Sequence, residues 1–262
     1  MNKLTACFLL VFTGFKKNQS NHKGYSMKSI TIALVALFSF NASANLITET
    51  FADGSSLGDW IVDRCAPSSF SIVNNELQMS INGNEQDKCG ADPFYATQGM
   101  KRILSPSTFV SIDVFLDTEN WLIEERLGGF WATTYNSSDA ISFYPIIEYI
   151  FNGGAITAQT WNGNDGWWDQ GNDLLSDNAF NTFSFEIVDG FIQYAINGTH
   201  VLTSNTGGHA YFGDVILNAR NDGNDFTVRY DNLTYGTISV PETPTLIVML
   251  TGLILLGSRR LV

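Results

Sequence analysis

The stretch "TWNGNDGWWDQGND" sets Trp161, Trp167 and Trp168 among glycines, asparagines and aspartates. Rigid aromatic faces stack on sugar rings while short amide and carboxylate side chains meet the hydroxyls. Asn162, Asn164, Asp165 and Asp169 therefore complete a candidate carbohydrate-binding loop. An acidic, aromatic loop suits neutral or amino sugars and suits polyanions badly. Trp60, Trp121 and Trp131 lie in alternating apolar segments and read as core. "ARNDGNDFTVRYDN" offers Asp222, Asn224 and Asp225 as hard oxygen ligands, yet it lacks EF-hand spacing and reads equally as a hairpin turn.

Candidates for catalysis are fewer. Glu186 and Asp189 are three apart, which puts them on opposite faces of a strand, and Glu124 and Glu125 are adjacent. Glu148 in "YPIIEYIF" is a lone acid among large apolar residues, the pattern of a structural carboxylate. His200 and His209 join no Ser/His/Asp or Cys/His constellation. Cys65 and Cys89 have no third cysteine or histidine beside them and are expected to form a disulfide, which in the chain-entropy model contributes about 3 kcal/mol. These residues argue for a non-enzymatic protein that binds carbohydrate and requires no cofactor.

The elements that must position them are strands. Segments such as "SFSIVNNELQMSI", "TFVSIDVFL", "LGGFWATTY" and "AYFGDVILNAR" are short, β-branched and aromatic, and no stretch carries a 3.6-residue apolar period. Asp189-Gly190 and Asn197-Gly198 predict two tight hairpins, giving three consecutive antiparallel strands from Phe183 to Thr203. So many strands must form two packed sheets, since one open sheet would expose an apolar face. The expectation is an all-β, two-sheet antiparallel sandwich of the jelly-roll kind over residues 45–236.

The two ends read as addresses. Met27-Lys28-Ser29, the apolar "ITIALVALFSF" and Ala42-Ser43-Ala44 make a signal peptide over 27–44, with cleavage between Ala44 and Asn45. Residues 1–26 are expected to be an upstream extension ahead of the true start at Met27, or an extended charged region on the same signal. After a linker at 237–244, residues 245–262 hold an apolar run from Thr245 to Gly257 and then Arg259 and Arg260. As a helix that run spans roughly 20 Å, short of the bilayer core, so it predicts a transient hydrophobic hook at the membrane. The chain carries 26 acidic against 14 basic residues, net −12, which excludes nucleic acid as a partner.

Two resemblances add to this. "ETFADGSSLGDWIV", "FSFEIVDGFIQYAINGTHVL" and "VRYDNLTYG" resemble the concanavalin A-like lectin/glucanase superfamily, with its laminin-G-like members. That likeness implies a jelly-roll sandwich and a structural calcium between the first and last strands, held by Glu49 or Asp53 with Asp231. Its glucanase branch sets E-x-D-x-x-E on one strand, and its lyase branch R-S-E-L, Q-I-H and a tyrosine-rich strand; neither pattern is found here. Val240, Pro241 and Glu242, then the apolar helix and the terminal arginines, resemble the PEP-CTERM sorting signal, although Thr243 stands where that family has its second proline, which follows as Pro244. The likeness implies an exosortase-type membrane protease as partner, transit through the inner membrane of a Gram-negative bacterium, and a final place at the cell surface or in the extracellular matrix with polysaccharide. A polysaccharide hydrolase or lyase is one alternative, and an adhesion protein with no sugar ligand another.

Overall fold

The structure is a computed structural model that describes residues 44–90, 97–121 and 126–238. The expected upstream extension, the signal segment before Ala44, Glu124, Glu125, and the sorting motif with its arginines lie outside the described residues.

Sixteen strands follow one another: β1 (Ala44–Glu49), β2 (Trp60–Arg64), β3 (Ser69–Val73), β4 (Glu76–Ile81), β5 (Thr97–Ser107), β6 (Phe109–Leu116), β7 (Arg126–Tyr135), β8 (Ile141–Phe143), β9 (Ile146–Asn152), β10 (Ala155–Trp161), β11 (Trp167–Gly171), β12 (Ala179–Val188), β13 (Phe191–Ile196), β14 (Thr199–Thr203), β15 (Tyr211–Arg220) and β16 (Phe226–Ile238). The only helical pieces among the described residues are 3-10 segments at Gly83–Cys89 and Gly163–Asp165. The first sheet runs β14-β13-β12-β6-β16-β4-β3, with β1 also paired to β16; the second runs β11-β10-β9-β7-β15-β5-β2, with β8 paired to β7. The all-β, two-sheet antiparallel sandwich read from the sequence is the fold.

Turn chemistry sets much of this register. Asp189-Gly190 and Asn197-Gly198 have positive φ at both residues, as the expected hairpins require, and Asn74-Asn75 and Gly153-Gly154 build two more in the same way. Between the sheets, alternation delivers one apolar face from each strand. Phe130 of the second sheet stacks on Phe185 of the first at 5.1 Å, and Tyr149 meets Phe183 at 4.9 Å. The hydroxyls of these buried tyrosines are satisfied: Tyr149 donates to the Val114 carbonyl at 3.0 Å, and Tyr194 to that of Trp161 at 2.9 Å.

Several expectations change. "ETFADG" is not a strand, since β1 ends at Glu49; Asn45, the expected mature start, is the second residue of β1 and lies opposite Thr237. The domain runs on to Ile238, because the last strand must reach the partner of Ala44. Trp60 and Trp121 are core, but Trp131 is not between the sheets, as described below. Cys65 and Cys89 are joined, with Cα atoms 5.7 Å apart. Among the described residues no helix is long and apolar enough to cross a membrane.

His209 locks one rim of the second sheet. It is buried, its Nδ1 accepts from Ser142 Oγ at 2.8 Å, and its Nε2 donates to the Thr206 carbonyl at 3.1 Å. Burial holds its pKa below the ordinary histidine value, with the Thr206 carbonyl opposing. The folded chain therefore keeps His209 neutral where the unfolded chain would protonate it. That contribution is present above the unfolded pKa of about 6.5 and is lost as pH falls through the lower folded value. Urea midpoints at neutral pH and near pH 5 should show the wild type losing more stability on acidification than His209→Gln; an equal loss would rule this out.

Candidate functional site

Alternation divides the second sheet into a face turned to the core and an outer face. Along β7, Leu127, Phe130 and Ala132 pack in the main core, whereas Trp131 belongs to a separate cluster with Ile146 of β9, Ile216 of β15 and Trp161 of β10. Trp131 is 1% exposed yet sits on the outer face, which corrects its reading as inter-sheet core.

Register organises that face into rows. Asp63 lies opposite Gly99, Gly99 opposite Asn218, Asn218 opposite Gly129, Gly129 opposite Glu148, Glu148 opposite Gln159, and Gln159 opposite Asp169. This polar row crosses seven strands, about 29 Å at the usual strand spacing. Two residues along, Ile61, Lys101, Ile216, Trp131, Ile146, Trp161 and Trp167 form a parallel row, largely apolar and aromatic. The two rows set hydrogen-bonding groups beside aromatic rings, the pairing that sugars use, with Asn218, Glu148 and Trp131 at the middle each 1% exposed and Trp167 at the end 39% exposed.

Glycine is what makes the polar row possible. A Cβ on Gly129 would stand 2.6 Å from Asn218 Oδ1 and 3.3 Å from Glu148 Cβ, and one on Gly99 would stand 2.9 Å from Asn218 Cβ. The bare backbone at both positions lets the Asn218 amide lie flat between them. Asn218 is 1% exposed and its Nδ2 has no hydrogen-bond partner among the described residues. A buried amide donor left open costs free energy, which a ligand acceptor would return.

Glu148, also 1% exposed, is fully engaged. Arg126 grips it with Nε to Oε1 at 2.6 Å and Nη2 to Oε2 at 2.8 Å, and Gln159 Nε2 donates to Oε1 at 2.6 Å. The outward positions flanking it on β9 are Ile146 and Ile150, so this strand presents one carboxylate and no acid triplet. Asp214 lies on the same face, where Thr133 Oγ1 donates to it at 2.5 Å and the Tyr135 hydroxyl at 3.5 Å. Burial pushes the Asp214 carboxyl up; the nearby Asp63 charge adds to the rise, and the Thr133 hydroxyl and Lys101 oppose it. Asp63 itself is ion-paired to Arg64 at 2.7 Å.

The tryptophan segment differs from its expected form. It is a hairpin, not a loop: Trp161 ends β10, Gly163–Asp165 turns, and Trp167 and Trp168 open β11. Trp161 and Trp167 meet at 5.3 Å on the outer face, while Trp168 lies opposite Thr160 and, by alternation, points the other way. The three rings do not form one platform. Asn162 is buried and its Oδ1 accepts from the Asn205 amide at 3.2 Å, whereas Asp165 stays exposed with its Oδ2 accepting from Asn205 Nδ2 at 2.7 Å. Asn164 lies in the turn, and Asp169 ends the polar row with Oδ1 accepting from the Gly171 amide at 2.8 Å.

The acids expected at a calcium, Glu49 or Asp53 with Asp231, have partners of their own in the fold. Glu49 pairs with Arg102 and accepts from the Tyr235 hydroxyl at 3.2 Å, Asp53 accepts from the Asn75 amide at 2.9 Å, and Asp231 faces Asp113 across the β6–β16 pair. No group of three His, Cys, Asp or Glu side chains among the described residues could hold a metal ion.

No protein-family model and no curated protein matches the sequence. Solved structures do match. A Crh5 transglycosylase aligns with a TM-score of 0.51 at 10% identity, over 76% of this chain and 87% of its own. An endo-β-galactosidase from Clostridium perfringens that releases GlcNAcα1-4Gal aligns at 0.50 and 12%, over 75% and 63%. An endo-acting O-glycanase from the human gut microbiota aligns at 0.50 and 13%, over 76% and 100%. At such identities the likeness is one of fold. Because these neighbours are glycan-cleaving and glycan-transferring enzymes, the expectation of a non-enzymatic chain is corrected: it rested on missing strand motifs, and this scaffold carries catalysis in the structures it matches. The chain is an antiparallel jelly-roll sandwich of the concanavalin A-like kind, shared with glycoside hydrolases and transglycosylases.

Proposed function

We propose that this domain hydrolyses a polysaccharide laid across the outer face of its second sheet. The observation that carries the reading is the polar row from Asp63 to Asp169 running beside the row that holds Trp131, Trp161 and Trp167. A chain lying along these rows meets Asp63 and Asp169 at the two ends of the polar row and the exposed ring of Trp167 beside it, while Asn218, Glu148 and Trp131, each 1% exposed, hold the middle of the face in place.

For the chemistry, Asp214 is the group suited to hold a proton, because burial and the neighbouring Asp63 charge raise it. It gives that proton to the leaving glycosidic oxygen. Asp63 takes a proton from water, whose oxygen bonds to the anomeric carbon as the old carbon–oxygen bond breaks. A base acting through water requires no acid triplet on one strand, so two carboxyls brought to one face from β2 and β15 suffice in kind. The Cys65–Cys89 bond supports a working place outside the cytoplasm.

The test is incubation of the full chain with a polysaccharide panel. New reducing ends that grow with time, with inverted anomeric configuration by NMR, are expected. Unsaturated products would identify a lyase instead, and no product from any glycan would end the proposal.

A further inference from the structure

The outer face of the second sheet is not open along its whole length. Around Trp131 it is filled: Trp131, Ile216 and Asn218 are buried, the Arg64 guanidinium lies 4.4 Å from the centre of the Trp131 ring, and Arg126 is held on Glu148. Exposed side chains return at the end where Asp214 lies. Ile103, opposite Asp214 on β5, and Ile141, opposite Tyr135 on β8, both stand in solvent.

Two tyrosines line this end. Tyr135 is two residues past Thr133 on β7, and Tyr211 of β15 lies opposite it, so both rings belong to the outer face. They stack with centroids 5.3 Å apart and planes 8° from parallel. An extra residue in β15 makes room for them. Its register shifts between Phe212 and Asp214 against both neighbouring strands, which makes Gly213 a bulge. A Cβ there would stand 2.5 Å from Tyr135 Cε2, so the bare backbone lets that ring lie across the strand. The Tyr135 hydroxyl reaches Asp214 Oδ2 at 3.5 Å, and the Tyr211 hydroxyl donates to Asp139 Oδ1 at 2.9 Å, in a turn where Asn136 Oδ1 accepts from the Ser138 and Ala140 amides. The hydroxyls are engaged, while the two rings, both half-buried, keep part of their apolar surface open.

The order of rows gives the pair its place. Asp63 lies opposite Gly99; two residues on comes Lys101 with Ile216, then Ile103 with Asp214, and past the bulge Tyr211 with Tyr135. Asp63 is therefore on one side of Asp214 and the tyrosines are on the other. Water that displaces a leaving group attacks from the opposite face of the sugar, so a group protonated by Asp214 departs away from Asp63. That direction leads onto the two rings.

We propose that Tyr211 and Tyr135 seat the sugar on the leaving side of the scissile bond, and that this sugar is a neutral pyranose laying a C–H face on the rings. This rests on the hydrolase reading above. Aromatic surface takes up C–H groups and gains nothing from a charged substituent. Asp139, held beside Tyr211, sets a carboxylate at the outer end of the seat, which opposes a uronic acid.

A glycosyl fluoride separates this seat from the rest of the site, because fluoride leaves with no sugar on that side. For the full chain, kcat/KM would be measured on the best polysaccharide of the panel and on the glycosyl fluoride of its repeating sugar. Tyr211→Ala should lose about tenfold more on the polysaccharide than on the fluoride, the scale of one aromatic contact. Tyr211→Phe keeps the ring and should recover most of that loss. Equal losses on the two substrates, or a Tyr211→Phe variant as slow as Tyr211→Ala, overturn the proposal and leave the hydrolase standing. A polyuronate as the best substrate overturns it as well. No turnover of any polysaccharide by the wild type overturns both.

Discussion

Replacing Arg126 with methionine should destabilise the domain by about 3–5 kcal/mol, the cost of leaving a buried carboxylate without its cation. Glu148 is 1% exposed and receives two of its three hydrogen bonds from Arg126. After the substitution only Gln159 Nε2 remains on it, one neutral donor for a full charge. The double variant Arg126→Met, Glu148→Leu should recover most of the loss, since apolar groups of similar volume replace buried ion pairs at little net cost. Urea denaturation of the three proteins measures this directly. If Arg126→Met costs less than about 1 kcal/mol, or the double variant is worse than the single, the pair is not the clamp described above.

Asp214→Asn is expected to lower turnover by 10²–10⁴-fold, the usual contribution of general acid–base catalysis, without loss of stability. The amide matches the carboxyl in shape and still accepts from the Thr133 hydroxyl through its oxygen. Since burial raises the Asp214 carboxyl, ionising it in the folded protein costs stability at pH values above its folded pKa. A neutral amide removes that cost, so the melting temperature should hold or rise at neutral pH. The sign also fixes the rate profile: a group that acts protonated loses activity as pH rises through its raised value, and this basic limb should vanish with the substitution. A variant that melts lower and keeps its activity would make Asp214 a structural acid and remove it from the mechanism.

Much of the fold is legible in the sequence because its determinants are local. Alternating apolar residues mark β6, β12 and β13, and Asp189-Gly190 and Asn197-Gly198 fix the turns after β12 and β13. Asn74-Asn75 and Gly153-Gly154 carry the same signal. β5, "TQGMKRILSPS", is hard to see because its outer-face positions include Gly99 and Lys101, and Pro106 interrupts the pattern. The site is hard to see for a related reason. Asp63, Asn218 and Glu148 share a row only through the register of strands far apart in the chain, whereas a motif search runs along one strand. Two clues were present: Gly128-Gly129 inside an apolar strand, where glycine marks a close approach, and a glutamate in the middle of "YPIIEYIF".

The thirteen residues of β16 hold together three parts of the first sheet: β4 along Phe226–Tyr230, β6 around Tyr230 and Gly236, and β1 from Leu233 to Ile238. Neither β1 nor the β3–β4 hairpin reaches that sheet except through it. A chain made from its N-terminus onward therefore carries its first strand, and that hairpin, unpaired until almost the whole domain has emerged. Closure joins segments nearly two hundred positions apart, the kind of contact that makes folding slow. The late arrival of one strand sets the order of assembly: the first sheet stays divided, β14-β13-β12-β6 on one side and β1 and the β3–β4 hairpin on the other, until its final segment is delivered.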